Sequence, residues 1–148
     1  MPAKDMTTPD YRKIFDAVVD AWHRHDIDGV LAHLNDDVIW HYHVGSKPVR
    51  SKSAARKFLS LLAGRQLDVG WKIFHHAISG NRLFVEGADV YKTPDGIAVT
   101  MPYMGVLEFR GNLICGWRDY VDSSIVARLE AGEAPADYLI ELGQRATG

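Results

Sequence analysis

Two aspartates stand within segments that are otherwise typical of buried strands. Asp119 lies in GWRDYVD (residues 116–122), and Asp89 lies in FVEGADV (residues 84–90). A buried carboxylate is costly unless it is paired or functional. If both side chains reach one apolar cavity, their like charges raise one pKa, so that one group can be the acid and the other the base. The structural alternatives are a salt bridge or a strand-end hydrogen bond for Asp119, and a structural carboxylate for Asp89.

Strand alternation gives this pair a common set of neighbours. Their face is expected to be apolar and aromatic with a few polar tips, which is the usual lining of a small-molecule pocket. The predicted substrate-binding residues are Trp40, Tyr91, Met101, Tyr103, Trp117 and Val121. The same face should also carry Tyr42, Leu83, Val85, Gly87 and Cys115. Simple core packing is the alternative for the aromatic residues, since large aromatics dominate cores.

The histidines and the single cysteine are weaker candidates for chemistry. His41 and His43 are expected to point away from the pocket; such a pair can bind metal, but no third ligand is evident, so no metal is predicted. Only one residue of the His75-His76 doublet can face inward, and His75 is the reserve candidate for a base. Cys115 has no activating partner nearby in sequence and is expected to be a small buried hydrophobe.

Composition fits one domain over residues 1–148. The chain is 47% hydrophobic and 24% charged, as is usual for soluble globular proteins. Its net charge of −2 and its interspersed charges give no reason to expect a nucleic-acid partner. No apolar run is long enough to predict a membrane span. With one cysteine and no apolar signal region in the first ten residues, we expect a cytoplasmic protein. Residues 1–7 are expected to be flexible.

The order of predicted elements places helices before a meander of strands. Thr8-Pro9-Asp10 predicts a helix start with Thr8 as its cap, Asp26 caps a second helix, and Ser51 caps a third. Strands are predicted over 38–44, 69–79, 82–91, 97–109 and 113–122, with C-terminal helix over 123–129 and 135–144. The short turns require antiparallel pairing. The sequence therefore predicts an α+β fold with helices packed on one face of a curved sheet.

This order, together with several local stretches, resembles the nuclear-transport-factor-2-like superfamily. Within it, the chain is similar to SnoaL-like polyketide cyclases and limonene-epoxide-hydrolase-like enzymes. The stretches are DIDGVL (26–31) with LNDDV (34–38), VGSKP (44–48), FVEGADV (84–90) and GWRDYVD (116–122). The resemblance implies a cone-shaped, mainly antiparallel sheet with the N-terminal helices on its concave face. It also implies a homodimer through the outer face, where Phe84 and Tyr120 are expected.

The resemblance also implies a chemistry. Limonene-epoxide-hydrolase-like enzymes use an Asp-Arg-Asp triad, with a tyrosine and an asparagine holding the attacking water. Asp119 and Asp89 match the two aspartates, but Gly87 stands at the arginine position, and Trp40 and Tyr42 stand at the other two. The implied activity is a cofactor-independent addition of water to an epoxide. Asp119 and Asp89 would be the acid/base pair, and Tyr42 would hold the water or the substrate oxygen. Gly87 either opens space for a larger substrate or leaves a gap that a tyrosine fills.

Two other functions of this superfamily bound the interpretation. In the ketosteroid-isomerase-like branch, the base would fall on Tyr42 and the buried acid on Gly105, and neither is a carboxylate. A SnoaL-like cyclase, isomerase or dehydratase could use the same aspartates, and a non-catalytic ligand-binding module is the alternative from another class. The expected ligand is small and apolar or polycyclic.

Overall fold

The computed structural model describes residues 8–148; the expectation of a flexible segment over 1–7 lies outside them. The helices are α1 (Tyr11–His23), α2 (Ile27–Leu31), α3 (Lys52–Ala63), α4 (Ser124–Glu130) and α5 (Asp137–Gln144). The strands are β1 (Leu34–His41), β2 (Val49–Arg50), β3 (Lys72–Ser79), β4 (Arg82–Lys92), β5 (Ala98–Arg110) and β6 (Leu113–Val121). None of the described helices is long and apolar enough to cross a membrane.

All six strands form one curved, open sheet in the order β2-β1-β6-β5-β4-β3. Strands β3 to β6 are antiparallel neighbours, and only β1 runs parallel to β6. The predicted α+β cone is therefore confirmed. Strand β1 begins earlier than predicted, at Leu34, because this fully buried residue pairs with Ile114 instead of extending the second helix.

Side-chain caps fix the helices that cover the sheet. The caps at Asp26 and Ser51 are confirmed, with bonds of 2.9 Å from the Gly29 amide and 3.1 Å from the Ala54 amide. The cap predicted at Thr8 is wrong. Asp10 caps α1 instead, accepting a bond from the Lys13 amide at 3.1 Å. A carboxylate satisfies the amide and also interacts favourably with the positive end of the helix dipole, which a hydroxyl does not.

The core consists of two clusters on the concave side. Helices α1 to α3 pack their apolar faces on the larger one, which includes the tryptophans Trp22, Trp40, Trp71 and Trp117. The smaller cluster lies under α4 and α5 and contains Tyr91, Val99, Met101, Ile125, Leu129 and Leu139. The residues predicted to line one pocket are thus divided between two packed layers.

A β-bulge interrupts the alternation in β6. Glu108 pairs with Gly116, but Phe109 pairs with Ile114, so Cys115 is the additional residue. Ile114 therefore enters the core, and the expectation that Cys115 shares the face of Asp119 is wrong. Cys115 is only partly buried, and its thiol donates to the Glu108 carbonyl oxygen at 3.5 Å.

Candidate active site

Asp119 is buried on the concave face of β6, with 5% of its surface exposed. It lies opposite Gly105, and a Cβ at that position would be 2.6 Å from the Asp119 Oδ1 atom. The indole N–H of Trp117 donates to the same oxygen at 3.1 Å. The salt-bridge alternative fails, because no described ion pair includes Asp119 and the neighbouring Arg118 pairs with Glu108.

Asp89 is equally buried on the concave face of β4, opposite Met101. Burial and the charge of Asp119 raise its pKa well above the ordinary value, and no hydrogen bond opposes this rise. This environment favours the neutral form of the Asp89 carboxyl group over the charged one.

The environments of the two carboxyl groups differ by one hydrogen bond. Burial raises the pKa of Asp119 to about 7, while the Trp117 hydrogen bond favours its charged form. Once Asp119 is ionised, its charge holds the proton on Asp89 more firmly. Near neutral pH, Asp119 is thus suited to accept a proton and Asp89 to donate one.

Tyr103 lies on β5, on the same face as the carboxyl groups, and its hydroxyl donates to the Lys72 carbonyl oxygen at 3.4 Å. Its strand position lies between that of Gly105, opposite Asp119, and that of Met101, opposite Asp89. A Cβ at Gly87 would be 2.9 Å from the Tyr103 hydroxyl and would overlap the Lys72 carbonyl oxygen. Of the two alternatives for Gly87, the structure supports the filled gap. Burial, Asp89 and Asp119 raise the pKa of Tyr103, so this phenol remains neutral.

The hydroxyl of a second tyrosine, Tyr42, contacts Gln66, a residue that the sequence did not indicate. Gln66 is 2% exposed, accepts a bond from the Trp22 indole N–H at 3.3 Å, and donates to the Tyr42 hydroxyl at 2.7 Å. It lies in the loop after α3, and no motif marks it. Burial, followed by the charge of Asp89, raises the pKa of Tyr42 well above its ordinary value.

The other residues predicted to line the pocket lie in different parts of the fold. Trp40 stacks on Trp117 with ring centres 4.7 Å apart. Tyr91 has a pKa raised to about 12, by burial first and then by Asp89. Met101 is buried under α4, and Val121 is partly exposed at the end of β6.

Comparison with known proteins identifies the family. A model described as "SnoaL-like domain" matches residues 15–117. The chain belongs to the SnoaL-like domain family. A comparison with curated proteins gives no match.

Solved structures similar to this SnoaL-like domain cover most of its length. An LEH-like epoxide hydrolase of M. tuberculosis is 26% identical over 84% of this chain and 94% of its own, with a TM-score of 0.71. A protein assigned as a SnoaL-like polyketide cyclase, from Shewanella putrefaciens, is 18% identical over 84% and 98%, with a TM-score of 0.75. The epoxide hydrolase/cyclase-like enzyme SalBIII, which acts in pyran ring formation, is 14% identical over 78% and 92%, with a TM-score of 0.71.

The histidines of this SnoaL-like domain do not supply a base to the carboxyl pair. His75 is exposed, and its ring bonds to Glu86 at 2.9 Å. The register shift after Ile73 places His75 opposite Glu86 on the outer face, so the reserve prediction of His75 as a base is wrong. His43 was expected to point away, but β1 ends at His41 and alternation no longer applies. His43 stacks on Tyr42 with ring centres 4.3 Å apart. Among residues 8–148, no three His, Cys, Asp or Glu side chains form a candidate metal site.

Replacing Gly87 tests the packing of Tyr103 against β4. We expect Gly87→Ala to lower the free energy of unfolding by about 1–3 kcal/mol, because its Cβ meets backbone and a buried ring. Gly116→Ala is the matched control, since its nearest atom is 3.4 Å away, and should change stability by less than about 0.5 kcal/mol. Urea unfolding measures both. Equal losses of stability in Gly87→Ala and Gly116→Ala would show that the space beside Gly87 is not filled.

The ionisation of Asp119 predicts a pH-dependent stability difference. Its folded pKa of about 7 lies above the ordinary 3.8, so the folded chain keeps a proton that the unfolded chain loses between these values. The parent should therefore lose stability relative to Asp119→Asn as pH rises from about 4 to 7, by up to about 1.4 kcal/mol per pH unit.

Urea unfolding at a series of pH values measures this difference. The control is Asp20→Asn, at an exposed α1 residue paired with Arg24, whose difference from the parent should change little over the same range. An Asp119→Asn difference that does not change between pH 4 and 7 would show that Asp119 has an ordinary pKa.

Proposed function

We propose that the chain is an enzyme that adds water to an epoxide without an organic cofactor or metal. The observation that carries this proposal is the buried carboxyl pair, in which burial raises both pKa values and a hydrogen bond from Trp117 favours the charged form of Asp119. Epoxide opening needs both forms together: a base for water and an acid for the ring oxygen. The likeness to the M. tuberculosis LEH-like epoxide hydrolase supports the same reaction class.

In the proposed reaction, the Asp119 carboxylate removes a proton from water as the water oxygen attacks an epoxide carbon. The bond between that carbon and the ring oxygen breaks, and Asp89 transfers its proton to the released oxygen. The product is a vicinal diol. Return of the proton from Asp119 to Asp89, through solvent or an intervening hydroxyl, restores the starting state.

The surroundings of the pair favour an uncharged, apolar substrate. Trp40, Trp117 and Tyr103 contribute aromatic surface, and no described ion pair reaches either carboxyl group. An anionic substrate would bring further negative charge beside Asp119 with no cation to offset it. The small apolar or polycyclic ligand predicted from sequence agrees with this chemistry.

Ring closure is the second candidate reaction. Asp119 and Asp89 are each only 5% exposed, so few water molecules reach them. In such a site, a hydroxyl of the substrate can replace water as the nucleophile, and the same two proton transfers then give a cyclic ether. SalBIII, described as epoxide hydrolase/cyclase-like, shares the fold.

A panel of terpene, cyclohexene and styrene oxides tests the hydrolytic reaction. We expect the parent to convert at least one oxide to a diol, with a bell-shaped pH profile. Asp119→Asn and Asp89→Asn should each lower kcat/KM by about 10²–10⁴, because each removes one proton-transfer group. In H₂¹⁸O, one ¹⁸O atom should enter the diol.

Asp20→Asn is the control for this experiment and should keep the parental rate. Cyclisation of a hydroxy-epoxide without ¹⁸O uptake would favour the second reaction. A parent that converts no oxide, and binds an apolar ligand as tightly as Asp119→Asn does, would replace both reactions with the binding-module alternative.

We also propose that two copies pair through the outer face of the sheet. This face exposes three large apolar side chains on neighbouring strands, Phe84, Met104 and Tyr120. Met104 is opposite Tyr120, and Phe84 is two residues from the β4 partner of Met104. Contiguous apolar surface of this kind is typical of association sites. Sedimentation equilibrium should give a dimer for the parent and a monomer for Met104→Arg; a monomeric parent would reject the proposal.

A further inference from the structure

A hydrogen-bond chain connects α1 to Tyr42, at the end of β1. It runs from the Trp22 indole through the Gln66 amide to the Tyr42 hydroxyl, with distances of 3.3 and 2.7 Å. Trp22 and Gln66 are almost completely buried. Buried amides are costly unless they are hydrogen-bonded, so this chain defines one arrangement rather than several.

The chemistry of the first member fixes the direction of the whole chain. An indole N–H can only donate, so the Gln66 carbonyl oxygen must face Trp22 and its NH₂ group must face Tyr42. The Tyr42 oxygen is therefore an acceptor in this bond. Its own proton must be directed to another partner.

The surroundings of Tyr42 limit what that partner can be. His43 stacks on its ring, and Phe58 packs edge-on at 5.0 Å between ring centres, so the ring is held in place. The charges of Asp89, Tyr91 and Asp119 raise the pKa of this phenol, and within residues 8–148 its one side-chain hydrogen bond is the one that Gln66 donates.

The sheet places Tyr42 beside Asp119: His41 pairs with Arg118, and the Val44 amide donates to the Asp119 carbonyl oxygen at 2.8 Å. The hydroxyl proton of Tyr42 is therefore available to a ligand that binds beside Asp119.

We propose that Gln66 is a positioning residue that fixes Tyr42 as a hydrogen-bond donor to a neutral ligand oxygen beside the carboxyl pair. This proposal rests on the proposed function and makes it more specific. The ligand oxygen is the ring oxygen of the substrate, which then accepts from both Tyr42 and Asp89. Gln66 acts only through Tyr42 and touches no reacting atom.

Gln66→Glu tests the direction of the Gln66–Tyr42 hydrogen bond. It keeps the size of the side chain, but an ionised glutamate can only accept from the Tyr42 hydroxyl. An ionised carboxylate accepts from both neighbours, so Tyr42 would donate its proton to the introduced group and lose it for the ligand. Protonation of that group restores a donor. We expect kcat to be about 10-fold below the parent at high pH and to recover as the introduced group is protonated. A loss that is equal at every pH would overturn the proposal.

A double-variant cycle separates positioning from general packing. In a Tyr42→Phe background, Gln66→Glu should change kcat less than about 2-fold, because the hydroxyl through which it acts is absent. Independent, multiplying losses would show that Gln66 does not act through Tyr42. If Gln66→Glu does not fold, Gln66→Met serves in the same cycle, with an expected loss of about 5-fold in kcat and little change in KM.

A spectroscopic measurement keeps this proposal separate from the reaction itself. The chain is labelled with ¹³Cζ-tyrosine, and the Tyr42 signal is assigned by its absence in Tyr42→Phe. In ligand-free Gln66→Glu, this signal should show a pH transition in addition to the one that ionisation of Asp119 causes in the parent, since the phenol changes from acceptor to donor. If that transition is seen but no oxide reacts, the proposed function fails alone. If it is absent, the Gln66 proposal fails whatever the activity.

Discussion

The structure depends on one electrostatic constraint: two carboxyl groups are buried on one face of a sheet without a cation between them. Asp89 and Asp119 cannot both ionise easily in this environment, because burial and mutual repulsion oppose the second charge. A single hydrogen bond, from the Trp117 indole, distinguishes them. This asymmetry favours the charged form of Asp119 and the neutral form of Asp89.

Two glycines make room for this arrangement. Gly105 lies beneath the Asp119 carboxyl group, and Gly87 lies beneath the Tyr103 phenol. In each case, the missing side chain on one strand is replaced by a large polar one from the next strand. Tyr103 therefore fills the space beside Gly87, and its hydroxyl donates to the Lys72 carbonyl oxygen of β3 at 3.4 Å.

Much of the fold follows from local sequence patterns. The turns between the last four strands, the caps at Asp26 and Ser51, and the shared face of the aspartates all agree with the structure. Alternation fails at Cys115 because a β-bulge changes the side that this residue faces. It fails beyond His41 because β1 ends there. Neither feature has a reliable local signature.

The candidate site was less accessible to sequence reasoning than the fold. Asp119 and Asp89 stand out because charged residues are unusual within apolar strands. Gln66 does not stand out, since a polar residue in a loop is ordinary. Its importance comes from hydrogen bonds to Trp22 and Tyr42, which are 44 and 24 positions away in the sequence. The role of Gly87 likewise depends on Tyr103, which follows it on another strand and is identified only by the register.

Direct titration of the two carboxyl groups tests the central claim. The chain is labelled with ¹³Cγ-aspartate, and the two signals are assigned with Asp89→Asn and Asp119→Asn. The Asp119 signal should titrate near pH 7, and the Asp89 signal should remain that of a protonated acid at that pH. Ordinary titration of both signals near pH 4 would contradict the acid and base assignment and the reaction proposed from it.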